Sequence, residues 1–437
     1  MVNHRSRGYV GSSYPRPPTL IAVATLDKYL AQYAEPESQT ISSLDITAQF
    51  VLVVPAFQES LEQLEKVWVE LSDVIIILVV NSCDPQEPIT QRLLEDIAHH
   101  WRLIDSTGVC SWYQSNQHTI LVVDRYHQPL PLKQGVGKAR KIGADIAARL
   151  IHNGAIKLPW VFSTDADARL PKAYFTAAIT AITAIKGLSF GLYPFQHDAD
   201  QNAAAALYEF SLLWYAYGLK SADSEYAYTS VGSTIACSAE AYAQVRGFPN
   251  REAGEDFYLL NKLRKVGTYT YIDTPAICLS SRISNRVPFG TGPSIQKIQT
   301  LDDPTKDYVF YHPACFESLK SFLLGLRTSQ KKQDLQQHFS DPLHWQFVQK
   351  HGLATLISQK QNQAPAVFEK FLMDWFDGFR TLKFVHFIRE HQHPSVSFDA
   401  LWNTELLAEA CPGNSAKDIQ MATIALWQKL LVSVSPD

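Results

Sequence analysis

The chain is short of cysteine, of long apolar runs and of clustered positive charge, and each shortage removes a class of protein. Six cysteines occur among 437 residues: Cys83, Cys110, Cys237, Cys278, Cys315 and Cys411. They lie far apart and form no CxxC pair, so they read as buried reduced thiols of a cytosolic protein. The longest dense apolar run, Val74 to Val80, is far too short to span a bilayer. The first twenty residues carry Arg5, Arg7 and Arg16 and lack the apolar core of a signal peptide. No dense Lys/Arg run appears and the formal net charge is -4, which argues against nucleic acid as a partner. A small anionic ligand held by a few placed cations stays open. The expectation is a soluble, cytoplasmic protein without a transmembrane segment, with contact at a membrane surface left open. No internal repeat or low-complexity segment is visible.

What is present is enough apolar residue for a full core: 46% hydrophobic against 19% charged. The length suits two or three domains. Residues 1–46 are polar, contain Pro15, Pro17 and Pro18, and read as an extension with one short helix, Ile21 to Tyr33. From residue 47, short apolar runs alternate with amphipathic segments. Phe50 to Val54, Val74 to Val80, Thr119 to Val123 and Trp160 to Ser163 read as strands. Ser60 to Leu71, Ile89 to Trp101 and Gly137 to His152 read as helices. This βαβα alternation predicts an α/β fold with a parallel sheet flanked by helices. Strand signals fade past about residue 300. Phe316 to Leu326, Phe368 to Ile388 and Ile419 to Val432 show helical spacing. The expected organisation is an extension (1–46), an α/β domain (47–300) and a helical C-terminal domain or appendage (301–437).

In parallel sheets, ligands bind beyond the carboxyl ends of the strands, and three strand ends here carry polar clusters. One is Pro55-Ala56-Phe57-Gln58-Glu59, the second Asn81-Ser82-Cys83-Asp84, the third Asp165-Ala166-Asp167. Asp84 alone could be an ordinary turn residue. Asp165 and Asp167 repel each other unless compensated. A divalent cation resolves that repulsion, and magnesium prefers carboxylates plus phosphate oxygens to an all-protein cage. The pair is therefore a natural seat for a metal-bound diphosphate. Gly135 to Lys141 lacks the residues of a phosphate loop and reads as a helix start. Its cations Lys138, Arg140 and Lys141 cannot all face one way, so at least one is expected on solvated surface. Glu255-Asp256 precedes a helical run. Glu255 could simply complement the helix dipole, whereas Asp256 is placed to deprotonate a hydroxyl nucleophile.

In this order the elements resemble family-2 glycosyltransferases of the GT-A fold, over about residues 48 to 290. Pro55, Ala56, Phe57 and Glu59 resemble the opening strand and nucleoside loop. Asp84 stands where the family has its base-binding acid. Gly137-Lys138-Ala139-Arg140-Lys141-Ile142-Gly143 resembles the A-R-N-x-G helix, with Lys141 for Asn. Asp165-Ala166-Asp167 matches the DxD, and Gly232 to Ala236 the Gly-rich acceptor-side strand. Gly247-Phe248 and Gly254-Glu255-Asp256 match G-G-F … G-E-D, with Arg246 for the first Gly. No Q-x-x-R-W motif is found. In its place, Arg282 or Arg286 is offered as the diphosphate partner, with the loop Phe289-Gly290-Thr291-Gly292 closing over the donor.

The resemblance implies a hexosyltransferase-like enzyme that uses a nucleotide-diphosphate sugar donor and a divalent metal, Mg or Mn. Asp84 would lie near the base and Asp165 near the ribose. Asp167 would be the first metal ligand, Asp165 a second and His312 a third. Asp256 would be the base of an inverting transfer, with Glu255 beside it. Lys138 and Arg140 are further donor-binding candidates. The acceptor is not written in the motifs. A nucleotidyltransferase, a retaining transferase and a non-catalytic nucleotide-sugar-binding protein are the competing readings. A rival metal cluster, His386, Glu390 and His393, reads as a solvated helix end.

Overall fold

The computed structural model describes residues 20–41, 44–198, 203–251, 253–282, 290–328, 335–360, 363–402 and 415–431. Arg286, Phe289 and Cys411 therefore lie outside the described residues.

Nine strands form one sheet. In chain order they are β1 (Phe50–Ala56), β2 (Val74–Asn81), β3 (Arg102–Thr107), β4 (Cys110–Ser115), β5 (His118–Arg125), β6 (Trp160–Ser163), β7 (Leu188–Leu192), β9 (Ile235–Ser238) and β10 (Thr268–Tyr271). A parallel pair, β8 (Phe195–His197) and β11 (Ile277–Leu279), stands apart. The order across the large sheet is β10-β7-β9-β6-β1-β2-β5-β4-β3. Its centre, β6-β1-β2-β5, is parallel as expected. The flanks add antiparallel neighbours: β4 and β3 on one side, β9 between β6 and β7 on the other. Of these, β9 overlaps the strand expected at Gly232 to Ala236, whereas β3 and β4 were not anticipated. β3 is mostly exposed and β4 only half-buried, so neither forms a dense apolar run.

The continuous run of β2 follows from burial on both faces. Val74, Ile76, Leu78 and Val80 pack into one apolar cluster; Ile75, Ile77 and Val79 pack into the other. β1 alternates the same way. Each such side chain contributes about 1.5–3 kcal/mol when fully buried. The sheet is thus the rigid element, and the loops after β1, β2 and β6 leave from one edge.

Helix starts are set by side chains that satisfy orphan backbone donors. Ser60 accepts from the Gln63 N–H at 3.3 Å at the start of Leu61–Trp68. Glu87 accepts from Ile89 and Thr90 ahead of Pro88–His100. The apolar stretch Phe368 to Ile388 is not one helix but two, Pro365–Trp375 and Gly378–His391. Asp377 breaks it: its carboxylate accepts from the Arg380 N–H at 3.2 Å and caps the second helix. The same carboxylate binds Lys265 at 2.7 Å and Asn261 at 3.2 Å. It thereby ties the C-terminal region to the segment that begins with Glu255-Asp256.

The C-terminal helices share the apolar cluster of the sheet's first face, packing on the helix Ala203–Ser221. Trp427 donates its indole N–H to the Phe195 carbonyl at 3.1 Å. The N-terminal helix Leu20–Gln32 docks through Tyr29, whose hydroxyl donates to buried Asp145. Among the described residues no helix is long and apolar enough to cross a membrane.

Candidate active site

The loops after β1, β2 and β6 converge on one cavity of about 1200 Å³. Most of the singled-out residues line it: Pro55, Phe57, Glu59, Asp84, Arg140, Asp165, Asp167, Glu255, Asp256 and Arg282. Three do not. Ala56 is fully buried within β1. Lys138 turns away and pairs with Glu35 at 2.6 Å. His312 does not line the cavity with the acidic pair; its Nδ1 accepts from the Ala314 N–H at 3.0 Å, and its ring stacks on His393.

Arg140 organises the acidic residues. Its Nε donates to Glu255 at 2.9 Å, and its Nη1 donates to Ser163 Oγ and the Gly232 carbonyl. Its Nη2 meets Asp165. Burial works against the guanidinium's charge, yet Asp165, Glu255 and Asp256 together hold its pKa above the ordinary value. The approach depends on Gly137: a Cβ there would lie 2.6 Å from the Arg251 carbonyl and 3.2 Å from Glu255 Cβ. Lys141, one residue on, is also buried and binds Asp145 at 2.8 Å. None of the three cations is left on solvated surface, contrary to the sequence expectation. Each one found a buried or half-buried acid.

Asp165 is therefore held from two sides, since Ser233 Oγ donates to its other oxygen at 2.6 Å. Ser233 lines the cavity and was not anticipated, although Gly232 to Ala236 was recognised as family-like. Asp167 is met by Arg282 at 3.2 Å, and the same guanidinium forks onto buried Glu59 at 2.6 and 3.3 Å. Its bond to Glu59 raises the Arg282 pKa; Asp167 adds to that. Asp165 and Asp167, the two carboxylates of the acidic turn, both line the cavity. Among the described residues no group of three His, Cys, Asp or Glu side chains is placed to hold a metal by itself.

Glu255 and Asp256 open the helix Glu255–Leu263, which starts from Gly254 in the left-handed region, φ 72°. Glu255 is buried against Arg140. Asp256 accepts from the Phe257 N–H at 2.7 Å and faces the cavity. Burial, and then the negative charge of Glu255, push its pKa up to about 7. A carboxyl whose pKa is raised toward neutrality is suited to taking a proton from a hydroxyl.

Much of the far wall comes from residues past the expected motif region. Tyr208, Tyr311, Leu382 and His386 line it. Tyr311 and His386 are hydrogen-bonded, Oη to Nε2, at 2.7 Å. The rival cluster thus comes apart: His386 faces the cavity, Glu390 pairs with Arg389, and His393 lies beyond the helix end against His312. Periodicity alone carried no signal for the far wall, because these residues meet only through tertiary packing.

No protein-family model matches the chain, and no curated protein matches its sequence. Among solved structures it is similar to S. aureus TarS 1-349 in complex with UDP-GlcNAc, at 14% identity and TM-score 0.35, covering 87% of this chain and 91% of that one. It is likewise similar to S. aureus TarS 1-349 in complex with UDP, at 13% identity and TM-score 0.35, covering 76% of this chain and 91% of that one. Likeness at that level leaves the functional reading to the residues of the cavity.

Proposed function

We propose that the protein transfers a sugar from a nucleotide-diphosphate sugar to an acceptor hydroxyl, as a GT-A, family-2-like glycosyltransferase. The observation that carries this is the placing of Asp165, Asp167 and Asp256 on the wall of one cavity, with Arg140 between the DxD and the Glu255-Asp256 segment. In this reading the nucleoside lies along the β1 and β2 loops, near Phe57 and Asp84. Asp165, held by Arg140 and Ser233, faces the ribose. Asp167 and Asp165 would hold a divalent cation, Mg or Mn, together with the diphosphate oxygens. Two carboxylates plus phosphate is a donor set that magnesium accepts. When bound, the metal would supply Lewis-acid stabilisation of the leaving diphosphate. Arg282 adds a second cation on that side, anchored by Glu59.

Asp256 acts on the acceptor. Its carboxylate takes the hydroxyl proton as the acceptor oxygen bonds to the anomeric carbon. The bond from that carbon to the diphosphate oxygen breaks, and the diphosphate leaves with the electron pair. Attack opposite the leaving group inverts the anomeric centre. Glu255, committed to Arg140, keeps Asp256 basic by its charge and is a positioning residue.

A thermal-shift panel of nucleotide sugars, with and without manganese, tests the donor claim. Metal-dependent stabilisation by one donor is expected, and silence across the panel would remove the reading. Asp256→Asn then tests the base: donor binding should persist while transfer is lost. Unchanged transfer would exclude Asp256 from that role.

A further inference from the structure

Beside the main cavity lies a second chamber of about 400 Å³. The two share Ser230, Phe257, Tyr311 and Leu382 in their walls. Phe257 follows Asp256 directly, so the chamber abuts the side of the cavity where a hydroxyl would be deprotonated. Much of the rest of its lining is aromatic, Trp214 and Tyr215 included. Trp214 donates its indole N–H to the Tyr311 carbonyl at 2.9 Å, which fixes that wall. Tyr215 and Tyr311 pack at 5.5 Å between ring centres. Aromatic faces with scattered hydroxyls suit a ring with C–H faces and hydroxyl edges.

One charge enters this chamber. Among the described residues, Arg389 is the charged side chain that lines it. The guanidinium sits 5.8 Å from the centre of the Tyr311 ring. Its Nη2 contacts Glu390 at 3.2 Å, but Glu390 is 58% exposed and does not line the chamber. A guanidinium has five donors in a fork that matches carboxylate or phosphate. Arg389 thus places a guanidinium in the wall of an aromatic chamber, beside Tyr311, where it can pair with an anionic group of a ligand.

We propose that this chamber is the acceptor site, and that it takes a hydroxylated, ring-bearing small molecule carrying one anionic group, which pairs with Arg389. The proposal rests on the transferase reading for the identity of the ligand as acceptor. It also gives the C-terminal helix Gly378–His391, which supplies Leu382 and Arg389, a direct part in substrate selection.

Calorimetric titration of the full chain with glucose, glucuronate and glucose 6-phosphate tests it. At least one anionic sugar should bind about tenfold more tightly than glucose, the size expected for a hydrogen bond to a charged group. The stronger of the two identifies carboxylate or phosphate. Arg389→Gln should abolish the preference, while Arg389→Lys should keep part of it and so exclude misfolding as the cause. Equal binding of the three sugars, binding of none, or a preference that survives Arg389→Gln would overturn the proposal. The donor panel fails separately. Donor shifts without a charge preference would leave the transferase reading and remove the chamber; a charge preference without donor shifts would do the reverse.

Discussion

Arg140 and Glu255 lie on helices far apart in the sequence, yet their side chains meet at 2.9 Å with both nearly excluded from solvent. The same guanidinium meets Asp165. One residue thus fixes the DxD turn relative to the Glu255-Asp256 helix, and that spacing is what a donor and an attacking hydroxyl would share. Arg140→Met would leave two carboxylates without their cation. A loss of about 3–5 kcal/mol is expected on breaking a buried pair this way, read as a drop in the urea midpoint. A change within 0.5 kcal/mol, the ordinary range for surface substitutions, would show that the network contributes little.

Asp256 predicts two opposite pH trends. As the proposed base it must be ionised, so transfer should rise with pH and level off above about 7. Stability should run the other way. A carboxyl raised from 3.8 to about 7 on folding binds its proton more tightly in the folded state. Its contribution is complete below the unfolded value and is lost as pH rises through about 7. Asp256→Asn removes this loss. The variant should therefore gain in melting temperature over the parent as pH rises from 4 to 8, while transfer is abolished. A gain that is flat across that range would contradict the raised value.

Arg282 stands where a cation at Asp167 would compete with it. Arg282→Gln frees Asp167 of that partner. Manganese should then bind the donor-free protein more tightly, as followed by electron paramagnetic resonance. The donor KM should rise by about tenfold or more, since a charged hydrogen-bond partner of the diphosphate is gone. Unaltered manganese affinity would mean that Arg282 and the metal do not share Asp167.

The sheet's parallel centre was legible because β2 and β1 are unbroken apolar runs that fill both cores. The strand-end acids were legible because their types and order are set by local chemistry. Two things were not. The direction of Lys138, Arg140 and Lys141 depends on which acids the fold brings near: Glu35, Asp165 with Glu255, and Asp145. The break at Asp377 hides inside an apolar stretch, since a capping Asp reads like any polar residue until its backbone partner is seen. Part of the far wall follows from that break, because the helix it starts carries Leu382 and His386.

The N-terminal helix provides a last test. Asp145 is buried on the helix that carries Arg140, and four donors converge on it: Tyr29 Oη, Tyr242 Oη, Lys141 Nζ and the Glu35 N–H. Burial raises the Asp145 pKa, and Lys141 opposes that rise. Lys141 stands where the resembled motif has Asn, and its ammonium also reaches Tyr29 and the Tyr33 carbonyl. Lys141 therefore links the N-terminal extension to the helix that carries Arg140. Tyr29→Phe keeps the ring and removes one donor, at a cost of about 1–3 kcal/mol. Lys141→Met uncovers a buried carboxylate, at about 3–5 kcal/mol. The two act on one acid, so the double variant should depart from the sum by about 0.5–3 kcal/mol. Strict additivity in chemical denaturation would mean that Tyr29 and Lys141 stabilise Asp145 independently and that the extension is not coupled to the helix bearing Arg140.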